Sequence, residues 1–141
     1  MSDTAPSLKL TSDGAMKILQ AAMAKAQTMN VPQCISIVDS GGHLQAFCRM
    51  DGAFVLSNDS SFRKAKTAAI YGQKTGQMED QVAIKLALAT DGHRVNLPGG
   101  LPIIISGHVI GGIGVGSGTG AQDLEVAKAG VAALDGAQTF D

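Results

Sequence analysis

Two apolar segments of the sequence each reverse direction at a glycine-containing turn, and this feature restricts the fold more than any other. The first segment, residues 35–50, alternates apolar and polar side chains around a turn at residues 39–42. The second, residues 102–115, reverses at Gly107. Glycine accepts the positive φ angle that tight hairpin turns require. Each segment therefore predicts a β-hairpin, and two hairpins predict an antiparallel sheet.

Helical periodicity surrounds the two hairpins. Apolar residues recur at three- and four-residue spacing over residues 11–29, 57–71, 79–89 and a segment that begins at Thr119. Thr119 and Gln122 form a Thr-x-x-Gln capping box, and Gly136 suits a helix C-terminal cap. The order α-β-β-α-α-β-β-α predicts an α+β fold, in one domain that spans residues 1–141.

Composition excludes several classes of protein. The net charge is -1, so we expect no binding to nucleic acid or to an anionic membrane. No stretch approaches the roughly 18 apolar residues of a membrane span, and the start lacks a secretory signal, which predicts a cytoplasmic protein. Charged residues make up only 16% of the chain and hydrophobic residues 45%, which favours a homo-oligomer that buries surface between subunits.

Polar residues of the first hairpin and the second helix are candidate catalytic residues. His43 and Arg49 lie an even number of positions apart, which predicts that they share one strand face, and Asp51 follows closely. With Lys64 they would line a cationic pocket, in which Arg and Lys bind a carboxylate and His43 transfers a proton. The alternative is an ion pair of Arg49 and Asp51 that only fixes the strand end.

Candidate ligand-binding residues lie in two further segments and in the first turn. They are Asp39 in that turn; His93, Arg94, Pro98, Gly99 and Gly100 in the loop of residues 90–100; and Gly114, Gly116 and Thr119. Loops rich in Pro and Gly often contain binding sites, and glycines in a strand indicate close approach of a ligand or of another backbone. Free N–H groups at the helix that follows Thr119 favour an anion, although the turn could require glycine for geometry alone.

The sequence gives little indication of a metal site, because three or four ligands must converge on the ion. The possible ligands are His43, His93, Asp39, Asp51, Cys34 and Cys48, and none has the spacing H-x-x-x-H or C-x-x-C. Cys34 and Cys48 would face each other across the hairpin only in one register. We expect both to be small buried hydrophobic residues.

Six segments together resemble the GlcG/HbpS family of haem-degrading proteins (DUF336), over about residues 8–135. They are residues 37–44 (IVDSGGHL), 49–53 (RMDGA), 64–68 (KAKTA), 98–103 (PGGLPI), 110–115 (IGGIGV) and 122–123 (QD), which open the last helix. The resemblance implies a profilin-like, three-layer α/β/α fold with a five-stranded antiparallel sheet. Residues 8–10 or residues near Val95 would supply the fifth strand. It also implies tetramers or octamers.

The same resemblance implies haem binding or haem degradation as the leading function. Other members of the family belong to small-molecule catabolic pathways, and some are fused to corrinoid adenosyltransferases. The alternative is therefore a catabolic enzyme or accessory factor that binds a small anionic intermediate without haem. Family members that bind haem tend to use a His of the first helix, and residues 11–29 contain none, which favours that alternative. A scaffold protein without a ligand is a third possibility.

Overall fold

The computed structural model of the protein describes residues 2–141, and its elements follow the predicted order. They are α1 (Ser12–Met29), β1 (Cys34–Asp39), β2 (Leu44–Arg49), α2 (Leu56–Tyr71), α3 (Asp80–Ala89), β3 (Gly100–Ile105), β4 (His108–Gly116) and α4 (Gly120–Ala132). The strands form one antiparallel sheet in the order β2-β1-β4-β3. None of the described helices is long and apolar enough to cross a membrane.

The predicted fifth strand is wrong for residues 2–141, in which the sheet has four strands. Leu10 is buried, but its carbonyl accepts a hydrogen bond from the side-chain amide of Gln45 at 3.1 Å. The Val95 N–H donates to the hydroxyl of Thr67 at 3.1 Å. In both segments these backbone groups thus bond to side chains, and neither segment forms a fifth strand of the sheet.

Helices α1 and α4 pack on one face of the sheet and form the main core. The core side chains come from both helices and all four strands, and they include Ile18, Ala22, Ile35, Ile37, Ala46, Ile103, Ile113, Val126 and Val131. Thr11 caps α1 and the predicted capping box begins α4. Helix α4 ends at Ala132 with Ala133 as its C-cap, so the predicted cap at Gly136 is wrong.

Helix α2 covers the opposite face and lies unusually close to β4. A Cβ at Gly112 would lie 3.0 Å from the Ala69 nitrogen, and one at Gly114 would overlap the carbonyl of Ser61. One at Gly116 would meet the side chain of Ser57 at 3.1 Å. The strand glycines therefore admit the backbone of α2, which was one of the two alternatives for them.

A β-bulge in the first hairpin changes which side chains share a face. Ile37 pairs with Ala46, but Val38 pairs with Leu44, so the register shifts by one residue. Leu44 therefore lies with Phe47 on the α2 side, whereas regular alternation along β2 predicts that it shares a face with Ala46 and Cys48.

Candidate functional site

A buried ion pair joins α2 to the beginning of α4. Lys64 Nζ donates to Asp123 Oδ2 at 3.0 Å and to the Val115 carbonyl at 2.8 Å. The two side chains are only 6% and 3% exposed. Gly99, at φ +116°, passes so close that a Cβ there would lie 3.2 Å from Lys64 Nζ. The predicted residues Lys64 and Gly99 thus meet at this pair.

The pair lines a cleft of about 320 Å³, which we call the α4 cleft. Its lining residues are Phe54, Leu56, Ser57, Lys64, Leu97, Pro98, Ser117, Gly118, Gly120 and Asp123. Asp123 was not among the predicted site residues. In the sequence, an acidic residue in the first turn of a helix indicates only an interaction with the helix dipole. Its partner Lys64 is 59 positions away, and only the packing of α2 on β4 brings the two together.

Side chains of the protein accept hydrogen bonds from three of the N–H groups at the beginning of α4. Thr119 Oγ1 accepts from the Gln122 N–H at 3.2 Å, and Gln122 Oε1 accepts from the Thr119 N–H at 2.9 Å. Asp123 Oδ1 accepts from the Gly118 N–H at 2.9 Å. These three donors are therefore unavailable to a ligand anion. Thr119 caps the helix, and ligand binding by this residue stays a prediction.

The remaining glycines predicted to bind a ligand are packing positions. Gly114 and Gly116 lie under α2, as described above. Gly100 is buried, and its N–H donates to Thr75 Oγ1 at 2.9 Å. Of the predicted loop residues, only Pro98 and Gly99 lie at the α4 cleft or its ion pair.

Arg49 and Asp51 lie in a different cavity from Lys64. They line a groove of about 370 Å³ between α1 and the end of β2, together with Met23 and Gln27. We expected a single cationic pocket formed by His43, Arg49, Asp51 and Lys64, and it does not form. Arg49 and Asp51 line the groove beside α1, whereas the ammonium of Lys64 is buried at Asp123. Within residues 2–141, Arg49 and Asp51 take part in no ion pair either.

His43 is instead held by Asp39 across the hairpin turn. The Asp39 carboxylate is 3.1 Å from His43 Nδ1 and accepts the backbone N–H groups of His43 and Gly41 at 2.9 Å each. Burial alone raises the pKa of Asp39, but these hydrogen bonds together outweigh it and hold the pKa below its usual value. The His43 side chain is 81% exposed, and Nε2 makes no hydrogen bond within the described chain.

An apolar groove of about 360 Å³ lies between β2 and α2, next to this turn, and we call it the β2–α2 groove. Leu44, Phe47 and Phe62 supply its apolar lining, and Ser36, Asn58 and Asp59 complete it. Lys66 Nζ lies 5.1 Å from the centroid of the Phe62 ring. The groove thus combines aromatic surface with a cation at its side.

His93 and Arg94 lie near α2 but outside both the α4 cleft and the β2–α2 groove. His93 Nδ1 is 3.1 Å from Lys66 Nζ, and the Arg94 guanidinium stacks 4.3 Å from the centroid of Tyr71. Arg94 Nε and Nη2 are buried and find no partner among the described residues. These contacts attach the loop to α2, and they leave ligand binding by either residue a prediction.

The cysteines are free, and the described residues contain no cluster of three or more His, Cys, Asp or Glu that could hold a metal ion. Cys34 pairs with Arg49 and Cys48 with Ile35, so the two cysteines are not opposite each other. Burial raises the pKa of the Cys34 thiol, against a smaller lowering effect of Arg49.

Comparison with known proteins agrees with this architecture. A family model described as "Haem degrading protein HbpS-like" matches residues 10–132. The chain belongs to this family. It is 42% identical over 124 residues to an uncharacterized 15.0 kDa protein of the dhaT-dhaS intergenic region of Citrobacter freundii, covering 84% of this chain and 87% of the relative.

Two further comparisons are with a longer protein and with a protein solved as a haem complex. The chain is 32% identical over 124 residues to the corrinoid adenosyltransferase PduO of Salmonella typhimurium, but covers only 37% of its length and 84% of its own. The structure of a PduOC:heme complex superposes with a TM-score of 0.86 at 29% identity, over 95% of this chain and all of the other. The predicted family resemblance is thereby confirmed, as is the α+β class with its antiparallel sheet.

Proposed function

We propose that this HbpS-like protein binds haem, and that the β2–α2 groove with His43 is the binding site. The observation that carries the proposal is the Asp39–His43 pair, which leaves Nε2 of an oriented imidazole exposed one residue before Leu44, a residue of the groove lining. A histidine that binds a metal usually donates its other ring N–H to a carboxylate, which fixes the tautomer and orients the ring. The haem complex of the similar PduOC protein and the family's description support the choice of ligand.

The residues of the groove fit the remaining parts of a haem. Phe47 and Phe62 offer aromatic surface to the macrocycle, and Leu44, which directly follows His43 in the sequence, adds apolar surface to the lining. Lys66 is available for a propionate, since its ammonium lies at the Phe62 ring. Arg63 is a further cation on α2, although Asp59 already binds it at 3.0 Å. A bound haem would supply the iron chemistry to which the family's description as haem degrading refers.

A haemin titration tests this proposal. We expect a shifted Soret band at micromolar haemin, and we expect its loss in His43→Ala. His108→Ala is the matched control, because His108 is also an exposed histidine beside a hairpin turn. Asp39→Asn should weaken binding by roughly 10- to 100-fold, the usual effect of removing the carboxylate partner of a metal-binding histidine. An unshifted band in the parent protein would reject haem binding, and an unchanged His43→Ala variant would reject this site.

We also propose that α3 packs against a second copy of the chain. None of its ten residues is buried, and Ile84 and Leu88 are 61% and 76% exposed. A ten-residue helix is marginal without tertiary packing, so an apolar helix of this length requires a partner surface. Ile70 of α2 is another exposed apolar residue that a second copy could cover. A tetramer or octamer would bury such surfaces.

Light scattering coupled to gel filtration tests the oligomer. Ile84→Lys with Leu88→Lys should reduce the measured mass to that of a smaller species, because two charges cannot be buried without partners. Lys85→Ala is the control on the same helix. A parent protein that elutes as a monomer would contradict the proposal.

A further inference from the structure

The α4 cleft is electrically neutral although a charged pair forms part of its wall. Lys64 and Asp123 are the only charged residues that line it in the described chain, and they are in direct contact at 3.0 Å. Their field inside the cleft is therefore that of a dipole. A carboxylate bound to Lys64 would also face Asp123, and the loss of its hydration would not be offset. The cleft thus disfavours the anionic ligand that the sequence suggested.

The pair still has hydrogen-bonding capacity in both directions. An ammonium group has three N–H donors, and Lys64 uses two of them within residues 2–141. The carboxylate oxygens of Asp123 accept one bond each, from Lys64 and from the Gly118 N–H, which leaves lone pairs on both. Ser117 Oγ accepts the Phe54 N–H at 2.8 Å, so its own O–H is a further donor. The polar wall therefore complements a group that both donates and accepts.

The mouth of the cleft is apolar. Phe54, Leu56 and Leu97 are 68%, 78% and 52% exposed and line it together with Pro98. Its volume of about 320 Å³ lies at the lower end of the range for small-molecule sites, which begins at about 300 Å³. A ligand with a short carbon skeleton would cover this apolar mouth while its polar group reaches the ion pair.

We propose that the α4 cleft binds a small, uncharged molecule that carries a hydroxyl, carbonyl or amide group, through Lys64, Asp123 and Ser117. This site is separate from the β2–α2 groove and goes beyond haem binding. Lys64 donates to the ligand oxygen, and Asp123 accepts from its O–H or N–H. The intact ion pair selects against charged molecules of the same shape.

Acetamide, acetate and acetamidinium provide the test, because the three have nearly the same size and differ in charge. The full-length protein labelled with ¹⁵N is titrated with each compound, and the backbone signals of Gly99 and Gly118 are followed by NMR. Acetamide should shift both signals to saturation at millimolar concentrations. Acetate and acetamidinium should bind about tenfold more weakly or worse, a difference of about 1.4 kcal/mol.

Leu56→Trp should fill the mouth of the cleft and abolish the acetamide shifts without disturbing the buried pair. Leu44→Trp is the matched control, since this leucine is 54% exposed and lines the other groove. Acetate binding as tight as acetamide binding would overturn the proposal, as would shifts that do not saturate or that survive in Leu56→Trp. A failed haemin titration would leave these results unaffected, so the two proposals fail separately.

Discussion

The buried pair of Lys64 and Asp123 makes a quantitative prediction about stability. Lys64→Met leaves the Asp123 carboxylate, only 3% exposed, without its counter-ion. Breaking a buried pair on one side costs about 3–5 kcal/mol, because an uncompensated charge stays in the interior. For a chain of this size, that corresponds to a decrease of roughly 10–20 °C in the melting temperature. Asp123→Leu should cost a similar amount.

The double variant Lys64→Met/Asp123→Leu separates the pair from the packing around it. Replacing both partners by apolar residues is often neutral, so we expect the double variant to be within about 2 kcal/mol of the parent. The coupling energy of the cycle should then exceed about 3 kcal/mol. Urea unfolding followed by circular dichroism measures all four proteins.

The pair of Lys128 and Glu125 on the surface of α4 is the matched control. Its atoms are 3.3 Å apart, but Glu125 is 52% exposed, so Lys128→Met and Glu125→Leu should couple by less than about 1 kcal/mol. A coupling energy for Lys64 and Asp123 no larger than that of the control would refute the argument from burial.

Three further predictions concern other parts of the fold. Gly114→Ala should destabilise by about 3 kcal/mol or more in urea unfolding, because its Cβ would overlap the Ser61 carbonyl, whereas Gly107→Asn at an open turn should cost little. Because the pKa of Asp39 is lowered in the folded state, its carboxylate stabilises the fold at any pH above the usual Asp pKa. This stabilisation is lost as the pH falls through the lower pKa of the folded state. Asp39→Asn should therefore flatten the stability profile below about pH 4, and an unchanged acid limb would contradict this. Iodoacetamide at pH 8 should label half-buried Cys48 before Cys34, whose thiol is buried and has a raised pKa, and mass spectrometry showing the reverse order would count against it.

Local patterns of the sequence were sufficient for the elements of the fold. Hairpin turns with glycine, the three- and four-residue spacing of apolar positions and the capping box of Thr119 and Gln122 all act within a few residues. Such short-range signals predict where strands and helices lie, because the backbone geometry of each element is locally determined. The motifs, taken in order, were also enough to indicate the family.

Only the tertiary structure decided which polar residues meet. The bulge opposite Ile37 moved Leu44 to the face of Phe47, and no strand alternation predicts a one-residue shift. The glycines of β4 let α2 approach until Lys64 reached Asp123, a residue 59 positions further along the chain. Arg49 lines a different cavity, the groove beside α1. Sequence periodicity assigns a side chain to a face, but the packing of helices on that face selects its partner.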